Sequence, residues 1–290
     1  MESEINFIQL RRIIENALEE DLSGGDITTV STVKSDLQIT GRLIAKENGV
    51  ICGLLVFKEV FACLNKSIEV ETYKQEGDAI EKDCLIATIQ GNARSILSGE
   101  RVALNLLQRM SGIATSTRHA VDRVKGTGVR ITDTRKTTPG LRILEKYAVR
   151  AGGGINHRFN LSDGILIKDN HIQAAGGIKP AIERARSYAP HTLKIEVEVE
   201  NSLQIAEALH ANADIIMLDN MDTPAIRDAV RQINNQAMIE ISGNMNTRDL
   251  EELATTGIHL ISIGALTHSA RALDISLRLD NEHTPIPGII

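Results

Sequence analysis

The sequence predicts a parallel α/β barrel or partial barrel preceded by an α+β domain, and three patterns carry that prediction. Short apolar runs begin near Arg130, Gly164, Leu193, Asp214, Met238 and Leu260, most of them followed by a helical pattern. Alternating strands and helices imply a parallel sheet with helical crossovers. Polar and charged residues gather just after these runs, at the strand ends where parallel α/β folds bind ligands. Upstream, from about Leu37 to Gln90, short β-like runs alternate with Gly and charged turns, which suits an antiparallel sheet.

Taken in order, residues 5–20 place Ile5, Ile8, Ile13 and Ala17 at helical spacing, and Gly24-Gly25-Asp26 breaks that first amphipathic helix. The β-like runs that follow include Ile68–Thr72 and Leu85–Ile89, interrupted by a helix-like segment near Leu54–Leu64. Ser95–Lys125 reads as a long helical stretch with a candidate break at Ser111-Gly112. The six strand–helix units then repeat at spacings of roughly 20 to 35 residues. A complete eight-unit barrel takes about 250 residues, more than remain, so the barrel is expected to be incomplete. The last apolar run, Leu273–Leu279, lacks a following helix and is expected to return to the first domain.

Composition narrows the class. The chain has 290 residues, 42% hydrophobic and 24% charged, as in an ordinary globular protein with room for one large domain and a smaller one. No apolar run is long enough to cross a bilayer. Residues 1–10 carry two Glu and no basic residue, which argues against a signal peptide and for a cytoplasmic location. Cys52, Cys63 and Cys84 fit neither a zinc pattern nor a disulfide framework and read as small buried hydrophobes. A net charge of −6 and the absence of Trp disfavour nucleic-acid binding.

The clusters after the strands carry the chemistry. They are Asp133-Thr134-Arg135-Lys136, Lys168-Asp169-Asn170-His171, Asp219-Asn220, Ser242-Gly243-Asn244 and Ser262-Ile263-Gly264-Ala265. One such cluster is ordinary loop polarity; five at corresponding positions point to a site. In Leu193–Glu200, Glu196, Glu198 and Glu200 alternate with Ile195, Val197 and Val199. Inside a βα repeat both faces of a strand are buried, so acids there need a cation, either a metal or a ligand group. Arg135, Lys136, Arg158 and Lys168 flank strand ends and the Gly152-Gly153-Gly154 break, and Arg suits two-point recognition of carboxylate or phosphate. The Ser242 and Ser262 clusters offer small residues whose backbone N–H groups can approach a phosphate. Arg101, within Glu100–Asn105, reads alone as a solvated helical charge. These residues by themselves describe an enzyme acting on a phosphorylated, multiply anionic substrate. A sugar-phosphate aldolase using Lys168 as a Schiff base and a non-catalytic phosphoryl-ligand module remain open at this level.

The chain resembles the quinolinate phosphoribosyltransferases over nearly its whole length. The resemblance is carried by Thr132–Arg142 (TDTRKTTPGLR), Gly152–Arg158 (GGGINHR), Asp163–His171 (DGILIKDNH), Glu100-Arg101 to Thr115, and Gly264–Thr267. It implies a sandwich-like α/β domain, residues 1–111 plus 271–290, and an incomplete α/β barrel, residues 112–270, carrying the active site. It also implies transfer from phosphoribosyl pyrophosphate to quinolinate with decarboxylation. The implied assembly is a homodimer or higher oligomer with shared sites, Arg101 being lent to the neighbour. Arg135, His157, Arg158 and Lys168 would line the quinolinate pocket with Arg101; Thr134 and His171 join them as substrate-binding residues, and Lys136 lies close to both substrates. Glu198 and Asp219 would hold Mg2+, through water and substrate, and the ribose hydroxyls. The loops of Ser242, Gly243, Asn244 and of Ser262, Ile263, Gly264 would hold the 5-phosphate. Lys136, Glu198 and Asp219 are the expected catalytic residues.

Overall fold

A computed structural model describes residues 5–245 and 248–279. The chain divides into two compact units, Met1–Ser116 with Thr138–Gly153 and Ala270–Ile290, and Thr117–Thr137 with Gly154–Ser269.

The first unit begins with helices α1 (Phe7–Leu22) and α2 (Ile27–Thr32). Asn6 caps α1 by accepting from the N–H groups of Ile8 and Gln9, and Asp26 caps α2 through Thr29 N–H. Strands β1 (Gln38–Ala45) and β2 (Gly49–Val50), helix α3 (Leu54–Leu64), and strands β3 (Glu69–Thr72), β4 (Ala79–Ile80) and β5 (Leu85–Asn92) follow. A four-stranded antiparallel sheet has the order β12-β1-β5-β3, its edge strand β12 (Ile275–Leu279) coming from the far end of the chain as expected. The sheet buries Leu43, Ile86 and Ile89, and α3 buries Val56, Phe57, Val60 and Phe61, the two rings meeting edge to face at 5.0 Å. Cys52 is buried, but Cys63 and Cys84 are only partly so, and the reading of all three as core residues holds for the first alone.

Helix α4 (Ala93–Arg123) corrects one expectation: it runs through Ser111-Gly112 without a break. Gly112 is there for contact, since a Cβ at that position would lie 1.9 Å from the Arg271 carbonyl oxygen. Helix α5 (Arg142–Ala151) also belongs to the first unit, although the sequence reading assigns residues 138–153 to the barrel. Its buried Glu145 accepts from Arg109 Nε at 2.8 Å and from Thr138 N–H at 3.1 Å, tying the segment to α4. Arg109 lies 36 residues away in the chain, a contact no local pattern announces.

The second unit holds one parallel sheet of β6 (Arg130–Thr132), β7 (Ile165–Ile167), β8 (Ile195–Val199), β9 (Ile215–Asp219), β10 (Met238–Ser242) and β11 (Leu260–Ser262). Their order is β6-β11-β10-β9-β8-β7, every neighbouring pair parallel. Between them run α6 (Asp169–Ala175), α7 (Ile178–Tyr188), α8 (Ser202–His210), α9 (Thr223–Ile233) and α10 (Leu250–Ala254), and α11 (Ala265–His268) follows β11. Alternate residues of β8 to β10 (Val197, Val199, Ile216, Leu218, Ile239, Ile241) are fully or almost fully buried, and α7, α8 and α9 bury Ile182, Ile205 and Ile226. The register aligns Glu198, Met217 and Glu240 in one layer of the opposite face, and Asp219 with Ser242 in the next. That face curls inward. Glu196 and Glu240 stand two strands apart, about 10 Å in a flat sheet, yet their carboxylates and the His157 ring bring ligand atoms within 4.8 Å of one another. The sheet is therefore an incomplete α/β barrel with β6 and β7 at its two ends. In the seam, Ile155 makes a single parallel bridge to Thr132 and donates its N–H to Ile131 O at 2.9 Å. Among the described residues, no helix is long and apolar enough to cross a membrane.

Candidate active site

All six barrel strands end around one cavity of about 740 Å³. Its wall is supplied by Thr134, Arg135 and Lys136 after β6, Lys168 after β7, Glu198 on β8 and Asp219 on β9. Ser242, Gly243 and Asn244 at the end of β10, and Ser262, Ile263 and Gly264 at the end of β11, complete the ring, while His157 and Arg158 enter from the seam. Fourteen of the sixteen sequence-predicted site residues thus share one hollow. Two do not line it. His171 is exposed on α6, where its Nδ1 accepts the Lys168 N–H at 3.0 Å and caps the helix. Arg101 is exposed on α4 in the first unit.

Four lining side chains are cationic (Arg135, Lys136, Arg158 and Lys168) and two are carboxylates (Glu198 and Asp219). In a chain of net charge −6, this local excess of positive charge suits a small ligand with several negative groups. Lys168 Nζ pairs with Glu198 Oε1. Burial pushes the Glu198 carboxyl above its ordinary value; the Lys168 hydrogen bond and charge pull it back, while Asp219 and Glu196 push it up again. Burial lowers the Arg158 guanidinium, as does neighbouring Arg135, against the opposing pull of Glu196 and Glu198. Glu198 and Asp219, two acids at adjacent strand ends, form a donor set that fits a hard divalent cation keeping some of its waters.

The loop after β10 is built for close approach. Gly243 has φ +99°, and a Cβ there would meet Asn220 Oδ1 at 2.2 Å. Asn220 in turn donates its N–H to Ser242 O at 3.1 Å and its side-chain amide to Asp219 Oδ2 at 2.8 Å. Lys136 is held from behind by Thr267, whose Oγ1 donates to its carbonyl at 2.7 Å, and its Cδ would lie 3.0 Å from a Cβ on Gly264. No side chain larger than glycine fits either place without displacement.

Sequence reasoning gave no site role to Leu166, Met217, Met245, Ala265 or His268, which also line the cavity, and none to Glu240 or Asp133 as supports. Glu240 is 1% exposed in the middle of β10, where burial and the Glu196 charge raise its carboxyl to about 7, opposed by His157. An acid alternating with Ile239 and Ile241 in an apolar strand is the signal that singled out Glu196, here carried by one residue instead of three. Buried Asp133 accepts from His157 N–H at 2.9 Å and from Asn156 Nδ2 at 2.6 Å, fixing the seam loop.

Fold and site together define an α/β-barrel enzyme site for a small polyanionic substrate. Comparison with known proteins narrows this. The family descriptions Quinolinate phosphoribosyl transferase, N-terminal domain and C-terminal domain match residues 26–111 and 113–278. A probable nicotinate-nucleotide pyrophosphorylase [carboxylating] of Bacillus subtilis is 45% identical over 96% of both chains. A quinolinate phosphoribosyltransferase [decarboxylating] of Nicotiana glauca is 40% identical over 94% of this chain and 83% of its own. The crystal structure of NadC from Streptococcus pyogenes superposes with a TM-score of 0.91 at 42% identity, covering 95% of this chain and 99% of that one. The chain belongs to the quinolinate phosphoribosyltransferase family.

Proposed function

We propose that this chain transfers the phosphoribosyl group of phosphoribosyl pyrophosphate to quinolinate with loss of CO2, giving nicotinate mononucleotide and pyrophosphate for NAD biosynthesis. The observation that carries the reading is the meeting of Arg135, Lys136, Arg158 and Lys168 with Glu198 and Asp219 in one cavity at the barrel's carboxyl end. Quinolinate is a dianion and the donor carries still more charge. At 4 Å two like unit charges near a protein surface repel by about 4 kcal/mol, so fixed cations are needed to seat both substrates.

On this reading Arg135 and Arg158 take the acceptor's carboxylates, the Ser242 and Ser262 loops take the 5-phosphate, and Lys136 serves both substrates. The pyridine nitrogen forms its bond to the anomeric carbon as the bond from that carbon to pyrophosphate breaks. Glu198 and Asp219 face the positive charge that develops on the ribose. The resulting pyridinium accepts the electron pair released as the 2-carboxylate leaves as CO2, and a proton from solvent takes its place at the ring carbon. Glu198 and Asp219 would hold Mg2+, which supplies charge neutralisation to the departing pyrophosphate. We further propose a cytoplasmic homodimer in which Arg101 of the partner subunit completes each quinolinate pocket.

The test is turnover of quinolinate labelled in its 2-carboxylate, with phosphoribosyl pyrophosphate and magnesium. Labelled CO2, nicotinate mononucleotide and pyrophosphate are expected in equal amounts. Product formed from nicotinate, or formed without CO2 release, would overturn the reading.

A further inference from the structure

His157 faces the cavity, and its ring stands between two environments. On one side, Nδ1 lies 2.8 Å from the backbone N–H of Arg158, which can only donate, so Nδ1 carries the lone pair. On the other, Nε2 lies 3.2 Å from Glu196 Oε2 and 3.6 Å from Glu240 Oε1, both acceptors on buried side chains. The ring proton therefore sits on Nε2 and points away from the cavity into the barrel. This arrangement also spends the lone pair that a metal would need, so the three groups do not make a cation site as they stand, despite their mutual proximity. Glu196 Oε1 and Glu240 Oε1 are buried without a hydrogen bond of their own, so Nε2 meets Glu196 through Oε2 and stands beside Glu240 Oε1 without bonding it.

The same loop is fixed at three further points. Asp133 holds the His157 N–H at 2.9 Å and the Asn156 amide at 2.6 Å, and Arg158 Nη1 donates to Gly164 O at 2.8 Å. An imidazole that pivoted would release the Arg158 N–H and with it the base of a cavity-lining guanidinium.

We infer that Glu196 and Glu240 act as positioning residues that hold His157 as a neutral ring with its proton on Nε2. Through the Nδ1 contact they fix the Arg158 backbone for recognition of an acceptor carboxylate. His157 is then no proton donor or acceptor for the reacting atoms. The kinetic part of this inference rests on the function proposed above; the tautomer does not.

The first measurement is therefore spectroscopic and independent of turnover. Long-range proton–nitrogen correlation on 15N-histidine-labelled protein, with His157 assigned by its absence in His157→Gln, should show an unprotonated Nδ1 and a protonated Nε2. A protonated Nδ1, as a tautomer or an imidazolium, would overturn the inference. The second is kinetic. Glu240→Leu should raise the KM for quinolinate roughly tenfold or more while moving the KM for the phosphoribosyl donor less than about threefold, and Glu240→Gln should recover most of the loss. Equal changes in both KM values would overturn the positioning role. A wild-type protein without turnover would defeat the proposed reaction and leave the spectroscopic result to stand or fall alone.

Discussion

Replacing Glu240 by glutamine should change how the stability of this protein depends on pH. In the folded chain the Glu240 carboxyl titrates at about 7 rather than 4.5, because it is buried beside the Glu196 charge. A carboxyl whose folded value is raised binds its proton more tightly in the native state than in the unfolded one. Its contribution is therefore fully present below pH 4.5 and is lost as pH rises through 7. The difference between those two values corresponds to roughly 3 kcal/mol, of which about 2 to 3 kcal/mol falls between pH 5 and pH 8. Glutamine has nearly the same shape and cannot ionise, so Glu240→Gln removes this dependence. Urea unfolding of both proteins at pH 5, 6, 7 and 8 measures it directly. The variant should gain on the wild type by about 2 to 3 kcal/mol from the acid to the alkaline end. Parallel stability profiles would refute the reasoning, and so would a difference that grows in the opposite direction.

Other perturbations test other parts. Gly112→Ala drives a Cβ to 1.9 Å from the Arg271 carbonyl, a backbone atom, and should cost about 1–3 kcal/mol or more in denaturant unfolding. Gly243→Ala adds a Cβ at 2.2 Å from Asn220 Oδ1 on a residue with φ +99°; titration calorimetry should show donor affinity falling roughly tenfold, about 1.4 kcal/mol, with quinolinate less affected. Arg135→Ala should weaken quinolinate roughly 30-fold, about 2 kcal/mol, and leave donor binding nearly intact, so an equal loss of both in the same calorimetry removes Arg135 from the acceptor pocket. Mixing inactive Arg101→Ala with inactive Lys168→Ala subunits should restore part of the activity if sites are shared, and no rescue after proven subunit exchange would defeat that sharing.

The barrel was readable because its periodicities are local. Each of the six apolar runs becomes a strand within two residues of where it begins, and every polar cluster after them gives at least one residue to the cavity wall. What escaped depends on curvature and on contacts distant in the chain. Glu240 looks like one half-exposed position of an alternating strand until the sheet curls and aims it at Glu196 and His157. His171 sits among residues that line the site, yet one turn of helix spends its ring on the Lys168 N–H. Gly112 reads as a helix breaker because the sequence does not show the carbonyl it makes room for. The contact of Glu145 with Arg109 spans 36 residues, and no pattern within either segment announces the pair.

The return of β12 to β1 has a consequence for how the protein is made. Arg42 pairs with Arg278, 236 positions later, so one edge of β1 stays open until the ribosome has delivered residues 275–279. Pairings this distant are slow to form, and the waiting strand is a template for other nascent chains. A chain released before Ile275 would never close that edge, and aggregation rather than a trimmed but working enzyme is the expected fate.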